Sequence, residues 1–237
     1  MTKSPLIPIK HLFGRQGSRD AIVAFAEHTG LVHFGRVSQF SEEIHIVRGL
    51  TLSNQHHDIH YCIGTYRDYD VAFVERSDVL PADKKKPQHT TRHVWYIFEY
   101  DLHTTADLPH VFIGRRNGSK GLYTQVFTKF PSLRSLHLGA LSSYPAGFFT
   151  TYHVYAVPSD QVAVEGLVTP AVADMILHHF GALAIEINHN SLYIYSEGVK
   201  LTTALLETML ENGIWLANQI DASAGKPVAS QQLSEEA

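Results

Sequence analysis

The sequence predicts an α+β fold with mainly antiparallel sheets and helices packed against them. Short β-branched and aromatic runs, separated by Gly, Ser, Asn and Asp, occur in residues 31–75, 91–114 and 182–195. This pattern is typical of antiparallel strands joined by turns. Apolar stripes with helical spacing, in residues 18–28 and 201–220, predict helices that pack against the strands.

The composition is that of a globular protein with a sizeable core. The 237 residues are 44% hydrophobic and 18% charged, which suits one large domain or two small ones. The formal net charge is −4, with acidic and basic residues well mixed. No basic field is therefore present to attract nucleic acid, and we expect a protein partner instead.

The chain shows neither a signal peptide nor a membrane span at the level of sequence. No long apolar run follows a basic start, and no stretch of about 18 uninterrupted apolar residues occurs. The single cysteine, Cys62, cannot form an intrachain disulfide and fits a reducing compartment. We therefore predict a cytoplasmic protein.

The N-terminal elements are a helix followed by strands. Ser18 can cap the helix at residues 18–28, and Gly30 suits the left-handed conformation that ends it. Arg67 and Asp68 form a tight connection between two of the strands that follow. These predicted strands are residues 31–37, 43–48, 57–66 and 69–75.

A polar interruption precedes the clearest strand of the chain. Residues 77–89 contain Pro81, Pro87 and three consecutive lysines, and they predict an exposed loop. Residues 91–102 then place alternate apolar side chains on one face, while Trp95 and Ile97 make the other face apolar at mid-strand. Two apolar faces predict a central strand.

The C-terminal elements repeat this mixture of helices and strands. Thr169 and Pro170 predict a capped helix start, and Gly181 predicts its end. Residues 188–191 read as a hairpin turn because asparagine accepts positive φ. The last helix contains Gly213, which weakens it by about 1 kcal/mol relative to alanine and suggests close packing.

The predicted organisation is two joined subdomains. An N-terminal α+β subdomain covers residues 11–115, and a C-terminal α+β subdomain covers residues 147–221. Residues 116–146, rich in Gly, Ser and basic groups, connect them. Residues 222–237 are small, polar and acidic at the end, which predicts a disordered tail.

The main chemical signal is the run HHDIHYC at residues 56–62. In a regular strand His56, Asp58, His60 and Cys62 would share one face. Same-face neighbours lie about 6.6 to 6.8 Å apart, whereas zinc takes ligands at about 2.0 to 2.3 Å, so only an adjacent pair can share an ion. The alternative interpretation is the polar outer face of an edge or half-exposed strand, with Ile59, Tyr61 and Ile63 on its core face.

The metal hypothesis needs a further ligand from another strand. His56 with Asp58, or Asp58 with His60, would supply two ligands, and His89 or His93 would supply the third. We take Asp58, His60 and His93 as the candidate set, for zinc or another divalent transition metal.

The strand at residues 91–102 also carries a weaker catalytic signal. His93, Glu99 and Asp101 share its second face and could include an acid/base pair. No nucleophile elbow, phosphate-binding glycine loop, paired-cysteine zinc motif or metalloprotease helix accompanies them. No cofactor is therefore expected, and no residue is predicted to be catalytic.

Short framework segments of the chain carry a family resemblance. They are residues 63–64 (Ile-Gly), 70–73, 91–102, 108–112 (with a Leu-Pro start) and 192–195. They resemble a group of uncharacterised bacterial proteins, notably from reduced-genome lineages, over most of residues 12–221. The resemblance implies that HHDIHYC leads into a framework strand, and it brings no catalytic residues. In that group the domain often accompanies membrane helices, and none is predicted here.

Two functions from different classes follow. The first is a non-enzymatic binding or protein-interaction domain, because the core pattern is strong and no catalytic constellation is present. The alternative is a metal-dependent enzyme of the hydrolase class that uses the strand-borne histidines with Asp58. The balance favours a protein that is not an enzyme, and the oligomeric state stays open.

Overall fold

The structure is a computed structural model, and it describes residues 17–36, 57–81, 90–117, 127, 130–139, 143–197 and 200–224. Within these ranges the helices are α1 (Gly17–Thr29), α2 (Phe148–Thr151), α3 (Gln161–Leu167), α4 (Pro170–His179) and α5 (Thr203–Ala224). A short 3₁₀ helix, Pro158–Asp160, leads into α3.

The described strands form one antiparallel sheet. They are β1 (Val32–Arg36), β2 (His57–Tyr66), β3 (Tyr69–Pro81), β4 (Thr90–Asp101), β5 (Val111–Arg115), β6 (Arg134–Leu136), β7 (Tyr152–Ala156), β8 (Ala184–Asn188) and β9 (Ser191–Glu197). Their order across the sheet is β1-β2-β3-β4-β9-β8-β5-β7-β6. The predicted α+β class with a mainly antiparallel sheet is confirmed.

Strands from the two predicted subdomains are interleaved in this sheet. β9 pairs with β4, and β5 lies between β8 and β7. The predicted connection, 116–146, contributes β6. The last helix continues to Ala224, so the first residues of the predicted tail, 222–224, are helical, and the rest of that tail lies outside the described residues.

Two tight turns fix the register of the hairpins. Arg67 and Asp68, with φ of 47° and 70°, connect β2 to β3 as the sequence predicts, and Tyr66 pairs with Tyr69. Positive φ at both central residues matches the right-handed twist of the flanking strands. In the β8–β9 turn the positive φ, 54°, belongs to His189 rather than to an asparagine.

Other boundaries differ from the sequence prediction in an informative way. β3 continues to Pro81, beyond the predicted end at 75, because residues 76–81 stay paired with β4. The polar composition of residues 77–81 led to the prediction of a loop instead of a strand. The strand predicted at 43–48 and most of the predicted loop, residues 82–89, lie outside the described residues.

The helix ends follow their sequence signals closely. The Thr169 hydroxyl accepts a hydrogen bond from the backbone N–H of Val172, and Pro170 occupies the first turn of α4. Gly30 and Gly181 have φ of 77° and 54° where α1 and α4 end. α1 begins at Gly17, so the predicted cap Ser18 lies inside the helix.

The helices α1 and α5 cover one face of the sheet. α5 contacts α1, α3, α4, β4 and β9, and buried side chains of the helices and strands form a continuous core there. Tyr100 of β4 is fully buried in this core, and its hydroxyl donates to the carbonyl of Met209 at 2.8 Å. Its ring reaches α5 at Gly213, where a Cβ atom would overlap Cζ and Oη of Tyr100. The glycine therefore permits the close approach of strand and helix.

In the part of the chain that the structure describes, none of the helices has the length and apolar character required to cross a bilayer.

We predict that Gly213→Ala destabilises the protein although alanine favours helix. The added methyl group must displace the Tyr100 ring, and overpacking of this kind costs about 1 to 3 kcal/mol or more. The free energy of unfolding, measured with urea, should fall accordingly. Gly166→Ala in α3 is the matched control, because its Cβ would meet open space and should leave stability unchanged or raised by up to about 1 kcal/mol. Equal effects of the two substitutions would contradict this account of the Tyr100 contact.

Candidate functional site

A β-bulge in β2 decides where the side chains of HHDIHYC point. Asp58 pairs with Arg76 and Cys62 pairs with Phe73, so the register shifts between Ile59 and Cys62. His60 lies within this irregularity with φ of 55°. Because one extra residue reverses the alternation, Asp58 and Cys62 lie on opposite faces. The expectation that they share a face is wrong, and so is the assignment of Ile59, Tyr61 and Ile63 to one face.

Asp58 forms a buried ion pair with Arg76. Oδ1 accepts from Nε at 2.8 Å, and Oδ2 accepts from Nη2 at 2.8 Å. Both side chains are almost fully excluded from solvent, at 1% and 2% exposure. This two-point contact satisfies the buried carboxylate and matches the planar fork of the guanidinium group.

His60 lies against His33 of β1. Nδ1 of His60 is 3.3 Å from Nε2 of His33, and both rings are partly exposed. Burial lowers the pKa of His60, and the nearby His33 and Arg19 lower it further. The ring is therefore biased towards its neutral form.

His93 contacts neither Asp58 nor His60 in the hydrogen bonds described; its partner is Glu197. Its Nδ1 lies 3.0 Å from Oε1 of Glu197 on β9, and its ring lies beside Trp95. The metal set predicted from the sequence, Asp58, His60 and His93, is thus distributed over three local pairings. Among the described residues no three His, Cys, Asp or Glu side chains are grouped to hold an ion. That metal set stays a prediction, and His56 and His89 lie outside the described residues.

Cys62 belongs to the helix-covered core. It is fully buried, and its Sγ lies 3.7 Å from the carbonyl oxygen of His60. Burial raises the pKa of the thiol from its ordinary value of 9.0 to about 12. A neutral buried thiol is a poor nucleophile and a poor metal ligand.

The sheet face opposite α1 and α5 carries a second core with polar groups inside it. Its buried members are Tyr61, Val74, Trp95, Ile97, Tyr193 and Tyr195, and Phe127 and Phe130 pack against them. Within the described residues, Trp95 Nε1 is buried without a hydrogen-bond partner.

The buried Glu186 and the half-buried Glu99 on this face are hydrogen-bonded by tyrosine and histidine. The Tyr195 hydroxyl donates to the buried Glu186, and His110 Nε2 lies 2.7 Å from the same carboxylate. The Tyr193 hydroxyl donates to Glu99 at 2.9 Å. Burial and the Glu99 carboxylate raise the pKa of Tyr193. Glu99 is thus placed beside a tyrosine. Glu186 was not predicted from the sequence, because it lies 76 positions from His110 and no local pattern links the two.

An apolar patch lies on the same face at the β1 edge of the sheet. We call Val32, Phe34 and Ile63 the edge patch; their exposed fractions are 56%, 46% and 41%. Val32 pairs directly with Ile63, so the two side chains are neighbours, and Phe34 packs beside Tyr61. The alternation of β1 indicates this surface, but only the pairing with β2 joins Ile63 to it.

A small cleft lies between the β2–β3 turn, α1 and α5. It has a volume of about 260 Å³, and its lining includes His28, Tyr66, Arg67, Glu207 and Glu211. Arg67 and Glu211 form an ion pair at 2.7 Å, and the Tyr66 hydroxyl donates to Glu211 at 2.8 Å. These contacts attach the turn to α5 and pair Arg67 with Glu211 at the cleft wall.

The fold and these sites define a class, an α+β protein whose described strands form one antiparallel sheet, with α1 and α5 packed on one face. No family model matches the chain, and no curated protein matches its sequence. Among solved structures, the fold is similar to the crystal structure of the mycobacterial trehalose monomycolate transport factor A, TtfA. The TM-score is 0.58 and the identity 11%, over 88% of this chain and 94% of that chain. At this identity the similarity shows a shared fold.

We predict that breaking the Asp58–Arg76 pair from one side is costly. Asp58→Ala leaves a buried guanidinium group without its carboxylate, which should lower the free energy of unfolding by about 3 to 5 kcal/mol. Asp174→Ala is the control, because its pair with His178 is more than half exposed and should cost about 0 to 1 kcal/mol. The apolar double variant Asp58→Leu/Arg76→Met should recover most of the loss. A single-variant cost no larger than that of the control would contradict the buried pair.

We predict that Cys62 is inert in the folded protein. At pH 8 the thiol reagent DTNB should modify one thiol per chain in urea and almost none in buffer, because the folded thiol is buried and protonated. Since its folded pKa is raised, its contribution to stability is present below pH 9.0 and is lost as the pH rises towards about 12. Rapid stoichiometric labelling in buffer would contradict this placement.

Proposed function

We propose that this protein is a non-enzymatic binding domain whose edge patch contacts a partner protein. The observation that carries the proposal is the exposure of Val32, Phe34 and Ile63 on one face at the edge of the sheet. Single exposed apolar residues are ordinary on a protein surface, but three adjacent ones, two on the end strand β1 and one on the neighbouring β2, expose apolar area that binding would bury.

The position of the patch favours an extended segment as its occupant. β1 is the end strand of the described sheet, with β2 on its inner side. An end strand presents main-chain groups that an added strand can pair with, and alternate side chains then supply specificity. Val32 and Phe34 occupy such alternate positions.

The fold similarity supports a role without catalysis. A solved structure that shares the fold is described as a transport factor, which names a role in transport rather than a reaction. We carry only a role in transport to the present chain, and we propose that it acts through contact with a protein. The cytoplasmic location and the resemblance to the uncharacterised bacterial group stay proposals beside it.

The contacts of the candidate catalytic groups also favour binding over hydrolysis. Asp58, His93 and Glu99 each contact a side chain on the neighbouring strand. Contacts of this kind stabilise the pairing of the strands. The metal-dependent hydrolase stays the alternative prediction. Turnover of a phosphoester, ester or peptide substrate by the pure protein, abolished by a single substitution, would favour that alternative.

We predict that a photo-crosslinking amino acid at position 34 captures a partner in the cells that make the protein. Replacement of Phe34 by benzoylphenylalanine keeps an aromatic ring on the patch, and irradiation should give one adduct of discrete mass. Ile63→Glu in the same chain should reduce the adduct yield strongly, because a charge then occupies the apolar contact. The adduct is read by immunoblot and identified by mass spectrometry, and binding of the purified partner should weaken with Ile63→Glu.

The matched control is position 162. Val162 of α3 is 53% exposed, similar to the patch, but it lies on a helix rather than at the sheet edge. The probe there should give no such adduct, and Val162→Glu should not affect the adduct formed from position 34. An adduct insensitive to Ile63→Glu, or no adduct, would overturn the proposal. An adduct containing only a second copy would replace the separate partner by self-association.

A further inference from the structure

The bulge in β2 brings together two histidines that are 27 positions apart. His33 pairs with Cys62 across the ladder, and the extra residue directs the His60 ring towards His33. Their rings are inclined by 21°, with centroids 5.5 Å apart, and two nitrogens face each other at 3.3 Å. Both rings are partly exposed, so the pair is accessible from solvent.

The separation of the two nitrogens fits two chemical states. One is a hydrogen bond between a protonated and an unprotonated nitrogen. The other is a pair of neighbouring ligands on a tetrahedral ion, since two bonds of about 2.0 to 2.1 Å place their nitrogens about 3.3 Å apart. To pass from the first state to the second, each ring must rotate so that its lone pair points at a shared ion rather than at the other nitrogen.

The surroundings of His60 favour the form that binds metal. Burial lowers the pKa of His60, and the nearby His33 and Arg19 lower it further, which favours the neutral ring with a free lone pair. Arg19 also opposes a bound cation by repulsion, which limits affinity. Cys62 is fully buried in the core, and its thiol is not part of the proposed site.

We propose that His33 and His60 together bind a divalent transition metal, with zinc as the principal ion and water completing its coordination. Imidazole nitrogen selects zinc, copper, nickel or cobalt over magnesium and calcium. This site differs from the set read from the sequence, because it joins His60 to His33 rather than to Asp58 and His93. It does not depend on the proposed function, since an ion here would tie β1 to β2 on the face opposite the edge patch.

Zinc titration of the full chain, purified without an affinity tag, tests the proposal. A competing fluorescent chelator reports the affinity, and cobalt absorption reports a tetrahedral nitrogen site. His33→Asn and His60→Asn should each weaken the strongest site by roughly tenfold or more, since each removes one of two ligands. Asparagine is chosen at position 60 because it tolerates the left-handed backbone there.

Matched histidine variants separate this pair from the other histidines of the chain. His57→Asn, on the same strand, and His93→Asn, from the predicted set, should change the affinity by less than about twofold. Arg19→Gln should tighten zinc binding several-fold, because it removes the opposing charge. Circular dichroism and urea unfolding establish that each variant is folded.

Three outcomes would overturn the site. They are no stoichiometric zinc binding by the parent chain, equal losses in the His57 and His33 variants, or a loss confined to the His93 variant. A loss confined to the His93 variant would favour the ligand set predicted from the sequence, Asp58, His60 and His93. None of these outcomes alters the crosslinking result at position 34, so the two proposals fail separately.

Discussion

The pairing of β4 with β9 holds the two halves of the chain in one sheet. It runs from Trp95 opposite Glu197 to Asp101 opposite Ser191, and it places strands from early and late sequence side by side. Tyr100 extends from this ladder to the carbonyl of Met209 on α5. Gly213 leaves the space for its ring. The same few residues therefore fix both the middle of the sheet and the helix that covers it.

The two faces of that sheet differ in chemistry, and among the described residues α1 and α5 cover one of them. The helix face has an aliphatic and aromatic core that includes Cys62 and Tyr100. The opposite face combines tyrosines with buried carboxylates, such as Glu186 between Tyr195 and His110. Buried charges need partners in a medium of low polarity, so each carboxylate is tied to a donor on a neighbouring strand.

The bulge at His60 distributes the chemistry of β2 between these faces. On the N-terminal side of the bulge, Asp58 lies on the same face as Arg76 of β3, and the ion pair between them is buried. After the bulge, Ile63 joins the edge patch beside Val32. At the bulge itself the imidazole meets His33. One inserted residue thus separates an ion pair, an apolar contact surface and a candidate metal pair along a single strand.

Local pattern predicted most of the framework. The alternation of β4, the Arg67-Asp68 turn and the Thr169-Pro170 helix start depend on neighbours in sequence, and the structure has all three. It did not predict the extension of β3 to Pro81, because the polar residues there are held by pairing with β4. The candidate site was predictable only as a set of residue types. The geometry of the site depends on the β2 bulge, which the residue types of HHDIHYC do not predict.

The sequence by itself determined the α+β class, the central position of β4 and the close packing at Gly213, since periodicity and residue size carry that information. Only the tertiary structure decided the partners: Arg76 for Asp58, Glu197 for His93 and His33 for His60. These contacts join residues 18 to 104 positions apart. Strand register fixes such contacts, and a one-residue shift in register exchanges the faces of every side chain that follows.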